Sequence, residues 1–145
     1  MYNCNSSDIK IIKGGYLLLI RLNKKSPLPE KFNSVIKPSL YAYAGNANGF
    51  GGVKARCERH FKIKKKKIWH IDWLTTHSRE IKALSFPDKN ECDIVNEILK
   101  IKGATIPKKG FGNSDCKNCI SHLIELPTSF SEELITIPYF YIGKN

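Results

Sequence analysis

The stretch LYAYAGNANGFGGVKARCERHF, residues 40–61, decides the fold of this chain. Its first five residues predict a strand, and the two tyrosines within it lie two apart, so they point to the same face. Four glycines and two asparagines follow over residues 45–52 and predict a flexible turn. Over residues 53–61 an apolar residue recurs at every fourth position, which predicts a helix. The stretch therefore predicts a strand, a turn and a helix in succession.

Apolar runs and turn residues outside this stretch continue the alternation of strands and helices. Upstream, residues 16–22 predict a buried strand, and the proline-bearing residues 23–38 predict an irregular excursion with a short strand near Val35. Downstream, the patterns predict a short helix at 69–77, strands at 81–86 and 121–126, a helix at 91–101 capped by residues 88–90, and an edge strand within 135–142. The predicted fold class is therefore α/β or α+β, with helices around a small sheet.

Length and composition predict one domain that covers residues 1–145. A hydrophobic fraction of 41% is enough to build a core at this length. The early apolar run at residues 16–20 is far shorter than the roughly 20 residues that span a bilayer, and no secretory signal is visible. We therefore expect a cytoplasmic protein without a membrane partner, and the sequence leaves its oligomeric state open.

The charge of the chain favours a polyanionic partner. Lysine and arginine total 24 against 13 acidic residues, which gives a formal net charge of +11. Such an excess is typical of proteins that bind nucleic acid, although a lysine-rich composition can also arise as a genome-wide bias. The densest positive segment, here called the basic strip, consists of Arg59, Lys62, Lys64, Lys65, Lys66 and Lys67. We interpret it as a phosphate-binding surface, and the alternative is a solvated turn.

Tyr16, Tyr43, Arg56 and His60 are the first candidates for a catalytic site. Tyrosines on neighbouring strands that face an arginine on a helix would form a pocket of phenol and guanidinium groups. Such a pocket suits a phosphodiester, because a guanidinium grips phosphate with two donors and a phenol can donate or accept a proton. The alternative is that each tyrosine is an ordinary core residue. Trp69 and Trp73 could stack on bases, but we predict that both pack in the core.

Several motifs of this sequence resemble the GIY-YIG nuclease superfamily. They are Gly14-Gly15-Tyr16, Tyr43-Ala44-Gly45, Arg56 with His60, and a later helical glutamate, Glu91. Three longer runs resemble, more closely, an uncharacterised and mainly archaeal domain family assigned to that superfamily: Tyr41 to Gly45 with Gly51, Gly52 and Arg56; Trp69 to Leu74; and Gly110 to Cys116 with Ser121 to Leu123. The first motif reads Gly-Gly-Tyr where the superfamily has Gly-Ile-Tyr, and the candidates for the superfamily's last asparagine are Asn113 and His122.

This resemblance implies a fold and a chemistry. The domain would have a core at about residues 14–126, a C-terminal extension at 127–145, and a central three-stranded antiparallel sheet flanked by helices. It would cleave a phosphodiester with the help of Mg²⁺ or Mn²⁺. Tyr16 would lie near the attacking water with Tyr43 beside it, Arg56 would contact the phosphate, and Glu91 would hold the metal.

The position of Glu91 within its predicted helix gives an independent reason to examine it. At 100° per residue, Ile94, Val95 and Ile98 fall within about 60° of Glu91, on the face that must pack inward. A carboxylate on that face is costly to bury unless it is paired or bound to a cation. Glu91 is therefore the candidate Mg²⁺ ligand, and the alternative is a first-turn carboxylate that reaches water and is stabilised by the helix dipole.

Cys92, Cys116, Cys119 and His122 form a second candidate metal site. Cysteine and histidine at such short spacings can hold Zn²⁺ in tetrahedral coordination. A pair of cysteines with two residues between them, as in Cys116-x-x-Cys119, can also be a redox pair or a disulfide, and all of these cysteines could instead be reduced core residues. The sequence leaves these alternatives open.

The residues together predict an endonuclease-like phosphodiesterase that acts on DNA in preference to RNA. The alternatives are a non-catalytic nucleic-acid-binding module with the same fold, and a factor associated with RNA or the ribosome. Catalysis predicts that Tyr16, Tyr43, Arg56 and Glu91 converge in one open cleft.

Overall fold

A five-stranded antiparallel sheet forms the centre of the protein in the computed structural model, which describes residues 12–113 and 118–145. Its strands are β1 (Gly14–Leu22), β4 (Ser39–Ala47), β5 (Glu80–Phe86), β6 (Leu123–Leu126) and β7 (Phe140–Lys144). They lie in the order β6-β4-β1-β5-β7, so the long strand β1 is central and the two short strands are at the edges. Every pair in the sheet is antiparallel.

Smaller elements fill the connection between β1 and β4. The strands β2 (Ser26–Pro27) and β3 (Val35–Ile36) pair as a two-stranded ribbon around a single 3-10 turn at Glu30–Phe32. A second 3-10 turn, Glu132–Leu134, precedes β7. The excursion predicted at residues 23–38 and its short strand near Val35 are thus confirmed.

Within the described residues, three helices cover the two faces of the sheet. On one face, α1 (Gly52–Phe61) contributes Val53 and Cys57 to a buried cluster with Tyr16, Leu18 and Ile20 of β1. Leu74 of α2 (Asp72–Thr75) and Ile71, which immediately precedes α2, join the same cluster. On the other face, α3 (Glu91–Leu99) contributes Ile94, Val95 and Ile98 to a cluster with Leu17 and Leu19. Because β1 is buried on both faces over residues 15–20, Tyr16 to Ile20 form a continuous apolar run instead of an alternating pattern.

The α+β class is confirmed, whereas the expected three-stranded sheet is wrong because the sheet has five strands. β1, β4 and β5 form its centre, and β6 and β7 extend it by pairing along β4 and β5. An edge strand is present near the range predicted at residues 135–142, but it lies further along the chain, as β7. The helix predicted at residues 69–77 is reduced to α2. Among the described residues, no helix is long and apolar enough to cross a membrane.

Candidate functional site

An open cleft of about 280 Å³ lies where β1 begins and β4 ends. Four of the predicted catalytic residues line it: Tyr16, Tyr43, Arg56 and Glu91. Five further polar or aromatic side chains share its walls: Asn46, Trp69, His70, Asn113 and His122. The structure therefore brings together residues from two strands, two helices and two loops.

Cross-strand packing against glycine fixes the two cleft tyrosines. Tyr16 pairs with Gly45 in the β1–β4 register, and a Cβ atom at Gly45 would collide with the Tyr16 ring. A Cβ atom at Gly112 would lie 2.6 Å from Cε1 of Tyr43. Both rings therefore occupy space that only a glycine leaves open. This packing explains the glycine at the end of each motif: Gly45 of Tyr43-Ala44-Gly45 leaves room for the Tyr16 ring, and Gly112 of Gly110-Phe111-Gly112 leaves room for the Tyr43 ring.

The phenol groups of Tyr16 and Tyr43 are held in their neutral form. Burial raises the pKa of Tyr16 well above its ordinary value, and the guanidinium of Arg56 opposes this shift. Burial also raises the pKa of Tyr43, the Glu91 carboxylate raises it further, and Arg56 again acts in the opposite direction. Arg56 and Glu91 thus act electrostatically on the same phenol from within the cleft. At neutral pH the Tyr43 hydroxyl can donate a hydrogen bond into it, whereas the Tyr16 hydroxyl shares its hydrogen bond with His60.

His60 lies behind the cleft and not in its wall. Its side chain is fully buried, and Nε2 shares a hydrogen bond of 2.8 Å with the Tyr16 hydroxyl. Burial lowers the pKa of His60 to about 3, and the ammonium of Lys65 lowers it as well. His60 was predicted to be catalytic, but a ring in this position cannot touch a bound substrate. It contacts the Tyr16 hydroxyl from the buried side instead.

The buried His60 should make the stability of the protein depend on pH. An unfolded histidine titrates near 6.5, whereas the pKa of His60 in the folded protein is about 3. Between these values the unfolded chain binds one proton more, so a falling pH favours unfolding by up to about 1.4 kcal/mol per pH unit. The full stability is present above about pH 6.5. Urea unfolding from about pH 7 down to about pH 5 measures this slope.

His60→Gln should remove most of that slope, even if the variant is less stable throughout. His77→Gln is the matched control, because His77 is exposed and its substitution should leave the slope unchanged. Equal slopes in the wild type and in His60→Gln would show that His60 does not stay neutral in the folded protein.

Arg59 stabilises the fold and is not one of the accessible cations of the basic strip. Its Nη1 atom donates to Oδ1 of Asp72 and its Nη2 atom donates to Oδ2, each at 2.8 Å, and the Asp72 side chain is fully buried. Asp72 also accepts from the backbone N–H groups of Ile68 and Trp69, so it fixes the turn that leads into α2. Because the Arg59 guanidinium is paired with this carboxylate, its terminal N–H donors are used within the fold. The prediction that Arg59 contacts phosphate therefore has to be corrected.

Lys65 is a second exception within the basic strip. Only 7% of its side chain is exposed, and its Nζ atom donates to the backbone carbonyls of Arg59 and His60 at 3.0 and 2.9 Å. It therefore satisfies carbonyl groups at the C-terminus of α1. The other members, Lys62, Lys64, Lys66 and Lys67, are exposed. These four lysines form the accessible part of the strip.

Trp69 lies at the surface of the cleft, so the prediction that it packs in the core is wrong. Its side chain is 38% exposed. The guanidinium carbons of Arg56 and Arg59 lie 4.5 and 4.1 Å from its ring centre. Cation–π contact with Trp69 therefore holds the Arg56 side chain at the edge of the cleft. Trp73 is half-buried and packs against the core, as predicted.

Glu91 occupies the first position of α3 and is not used to cap that helix. Asn90 and Asp93 form a reciprocal capping box, with hydrogen bonds of 2.9 and 3.1 Å. The half-buried Glu91 makes no ion pair with any residue that the structure describes. Its carboxylate shares the cleft with the amides of Asn46 and Asn113. One carboxylate with neutral oxygen donors and water suits Mg²⁺, so these residues fit that ion.

The cysteine cluster is gathered beside the cleft. The ligand atoms of Cys92, Cys119 and His122 all lie within 4.8 Å of one another. Cys116, the other predicted member of this site, lies outside the described residues, and so does any disulfide that it forms. His122 is buried and also lines the cleft. The cleft and the cluster therefore share one side chain.

Some cleft residues were missed from the sequence. Asn46 received no role, although it directly follows Tyr43-Ala44-Gly45 and its place at the end of a strand could have indicated a site. His70 also lines the cleft, and its Nδ1 accepts a 2.9 Å hydrogen bond from the Gly112 N–H. This bond requires contact between two loops that are distant in sequence, and no local pattern signals it.

The fold and the cleft define a mixed α+β domain that presents phenol, guanidinium and carboxylate groups together at one end of a sheet. A family model described as Domain of unknown function DUF123 matches residues 15–140, and the chain belongs to this family. The match spans all residues named above as cleft walls. Comparisons with curated proteins and with solved structures gave no match.

Proposed function

We propose that this protein is a metal-dependent phosphodiesterase that cleaves nucleic acid, with DNA as the preferred substrate. The observation that carries the proposal is the convergence of Tyr16, Tyr43, Arg56 and Glu91 in one open cleft, although they come from four separate elements. A guanidinium, two neutral phenols and a carboxylate without an ion-pair partner among the described residues are the groups that phosphodiester cleavage needs.

Each group has a distinct task in the proposed reaction. Arg56, held by Trp69, donates two hydrogen bonds to the scissile phosphate and stabilises the charge that develops on it. Tyr16, oriented by His60, places its hydroxyl beside the attacking water. Glu91 would hold the divalent metal with Asn46 and Asn113 nearby, and a bound metal supplies Lewis-acid activation. The raised pKa of Tyr43 keeps its hydroxyl neutral as a donor to substrate.

The resemblance to the GIY-YIG nuclease superfamily is part of this proposal. What supports it is that the residues of its separate motifs, Tyr16, Tyr43, Arg56 and Glu91, share the cleft. The five-stranded sheet departs from the expected three strands only at its edges.

Features outside the cleft favour binding of a polyanion whether or not cleavage occurs. The four exposed lysines of the basic strip follow α1, the helix that carries Arg56. Phe50 is fully exposed in the glycine-rich turn before that helix, where an aromatic ring can stack on a base. A non-catalytic nucleic-acid-binding module is therefore the second candidate.

Incubation with plasmid DNA, branched DNA and RNA tests the proposal. Cleavage of DNA is expected with Mg²⁺ or Mn²⁺ and should stop when EDTA is added. Binding to all three without cleavage under any metal condition would refute the nuclease and favour the binding module. Preference for RNA would overturn the choice of substrate.

The exposed lysines should govern how affinity depends on salt. Each phosphate contact steepens the logarithmic salt dependence of duplex DNA binding by about 0.9, so Lys64→Gln with Lys66→Gln should flatten it by up to about 1.8. Melting temperature should hardly change, because both side chains are exposed. Lys65 is excluded because its substitution would uncap α1. Fluorescence anisotropy over a salt series measures the slope.

The double variant Lys24→Gln with Lys25→Gln is the matched control. These two lysines are also close in sequence and exposed, but they follow the end of β1 that lies away from Tyr16. The control should keep the wild-type slope. Equal flattening in both double variants would mean that the basic strip has no special role in binding.

A further inference from the structure

We propose that Cys92, Cys119 and His122 bind one Zn²⁺ ion, at a site distinct from the Glu91 metal position. Cys92 lies in the first turn of α3, and Cys119 and His122 lie on the segment that leads into β6. The ion would therefore cross-link α3 to the segment before β6, two parts of the chain that are distant in sequence. This inference does not depend on whether the protein cleaves nucleic acid.

The spacing of the three ligand atoms suits a tetrahedral zinc site. With Zn–S and Zn–N bonds near 2.3 and 2.0 Å, ligand atoms on a tetrahedron are about 3.5–3.8 Å apart. The three atoms here all lie within 4.8 Å of one another. Closing the site requires movements of only about 1 Å, which side-chain rotation can supply.

The environment of His122 gives a second reason. Its ring is only 2% exposed, and Nε2 has no hydrogen-bond partner among the described atoms. A buried polar atom without a partner typically costs about 1–3 kcal/mol. A histidine that binds a metal through one nitrogen commonly bonds a neighbour or water through the other. An ion in the cluster would therefore give the His122 ring a ligand role, whereas no described atom forms a hydrogen bond with its Nε2.

The chemistry of the ligands selects zinc over the ion proposed for Glu91. Two thiolates and one imidazole are soft or borderline donors, which suit Zn²⁺, whereas Mg²⁺ requires oxygen. The N-terminal turn of a helix also favours the thiolate form of cysteine, because the helix dipole is positive there. Cys92 occupies such a turn, and the capping box of Asn90 and Asp93 fixes its position.

Zinc at this site would stabilise one wall of the cleft. Cys92 is the direct neighbour of Glu91, and His122 itself lines the cleft. The Nδ2 atom of Asn113 donates a hydrogen bond to the backbone carbonyl of Cys119, which links a second cleft residue to the cluster. The ion would therefore hold Glu91, Asn113 and His122 in fixed relative positions.

Metal analysis of the untagged full-length protein tests the proposal. One Zn²⁺ per chain is expected, and Co²⁺ added to the metal-free protein should give the thiolate charge-transfer bands of a tetrahedral site. Cys92→Ser, Cys119→Ser and His122→Gln should each weaken zinc affinity by more than the roughly 10–100-fold typical of residues that only support a ligand. Cys57→Ala is the control, since Cys57 is buried on the opposite face of the sheet and should not affect zinc content.

Circular dichroism on each variant separates loss of zinc from loss of folding. The Co²⁺ titration of the wild-type protein needs no variant, so it decides the question even if every substitution prevents folding. Absence of charge-transfer bands, or unchanged zinc affinity in folded Cys92→Ser, would overturn the site. Both measurements are made without nucleic acid, so a negative cleavage assay would refute the proposed function and leave the zinc site standing.

Discussion

Glu91→Gln is expected to lower metal-dependent cleavage by about 10³-fold while nucleic acid still binds. Glutamine keeps the shape of the side chain but removes the charge that would hold Mg²⁺, and divalent ions require that charge for affinity. Folding should be unharmed, because Asn90 and Asp93 cap the helix and Glu91 has no ion pair within the described part of the chain. Single-turnover cleavage over a Mg²⁺ series measures the effect.

Glu97→Gln is the matched control for this experiment. Glu97 lies on the same helix but pairs with Lys100 at its far end, away from the cleft. It should cleave as the wild type does. A nuclease-active preparation that loses nothing on Glu91→Gln would remove Glu91 from the metal site and with it the proposed mechanism.

Arg56→Ala is expected to reduce cleavage by about 10²-fold or more with little change in stability. Among the described residues that line the cleft, Arg56 carries the positive charge. The nearby Arg59 is bound to Asp72 and cannot replace it. Loss of Arg56 would leave the charge that develops on the phosphate without a positively charged protein donor. The stability cost should be limited to the cation–π contact with Trp69, about 0.5–1 kcal/mol. Cleavage rates and urea unfolding measure the two effects separately.

Lys54→Ala provides the comparison for Arg56→Ala, since it removes one positive charge from an exposed position of the same helix. Its effect on cleavage should be small. Arg56→Lys should recover little activity, because an ammonium lacks the planar pair of donors. A parallel fall in stability and activity in Arg56→Ala would instead assign Arg56 a structural role.

Much of the fold could be predicted from the sequence because its main elements follow local patterns. The apolar run in β1, the glycine-rich turn before α1 and the asparagine cap of α3 act within a few residues, and all three occur as predicted. The count of three strands was wrong because it came from the resemblance to a superfamily, whereas the local patterns had predicted strands near both β6 and β7. Pairing with the neighbouring strands decides where such short strands begin and end.

A residue of the candidate site could be predicted from the sequence only where its type and its position together required a chemical explanation. Glu91 was found because a carboxylate on an apolar helix face demands an explanation. The roles of Arg59 and Lys65 were misjudged because both belong to a run of positive charge that looks uniform in sequence. Their commitment to Asp72 and to the end of α1 depends on tertiary contacts with α2 and the loop before it.

The cleft is assembled from elements spread between β1 and the start of β6, so it exists only when these elements are folded together. An occupant can therefore bind the native state alone, and its binding energy adds to the global free energy of unfolding. At a hundred times its dissociation constant, a ligand adds about 2.7 kcal/mol, which for a chain of this length raises the melting temperature by on the order of 8 °C. A thermal-shift survey of oligonucleotides and metal ions would thus detect the natural occupant without any assay of cleavage.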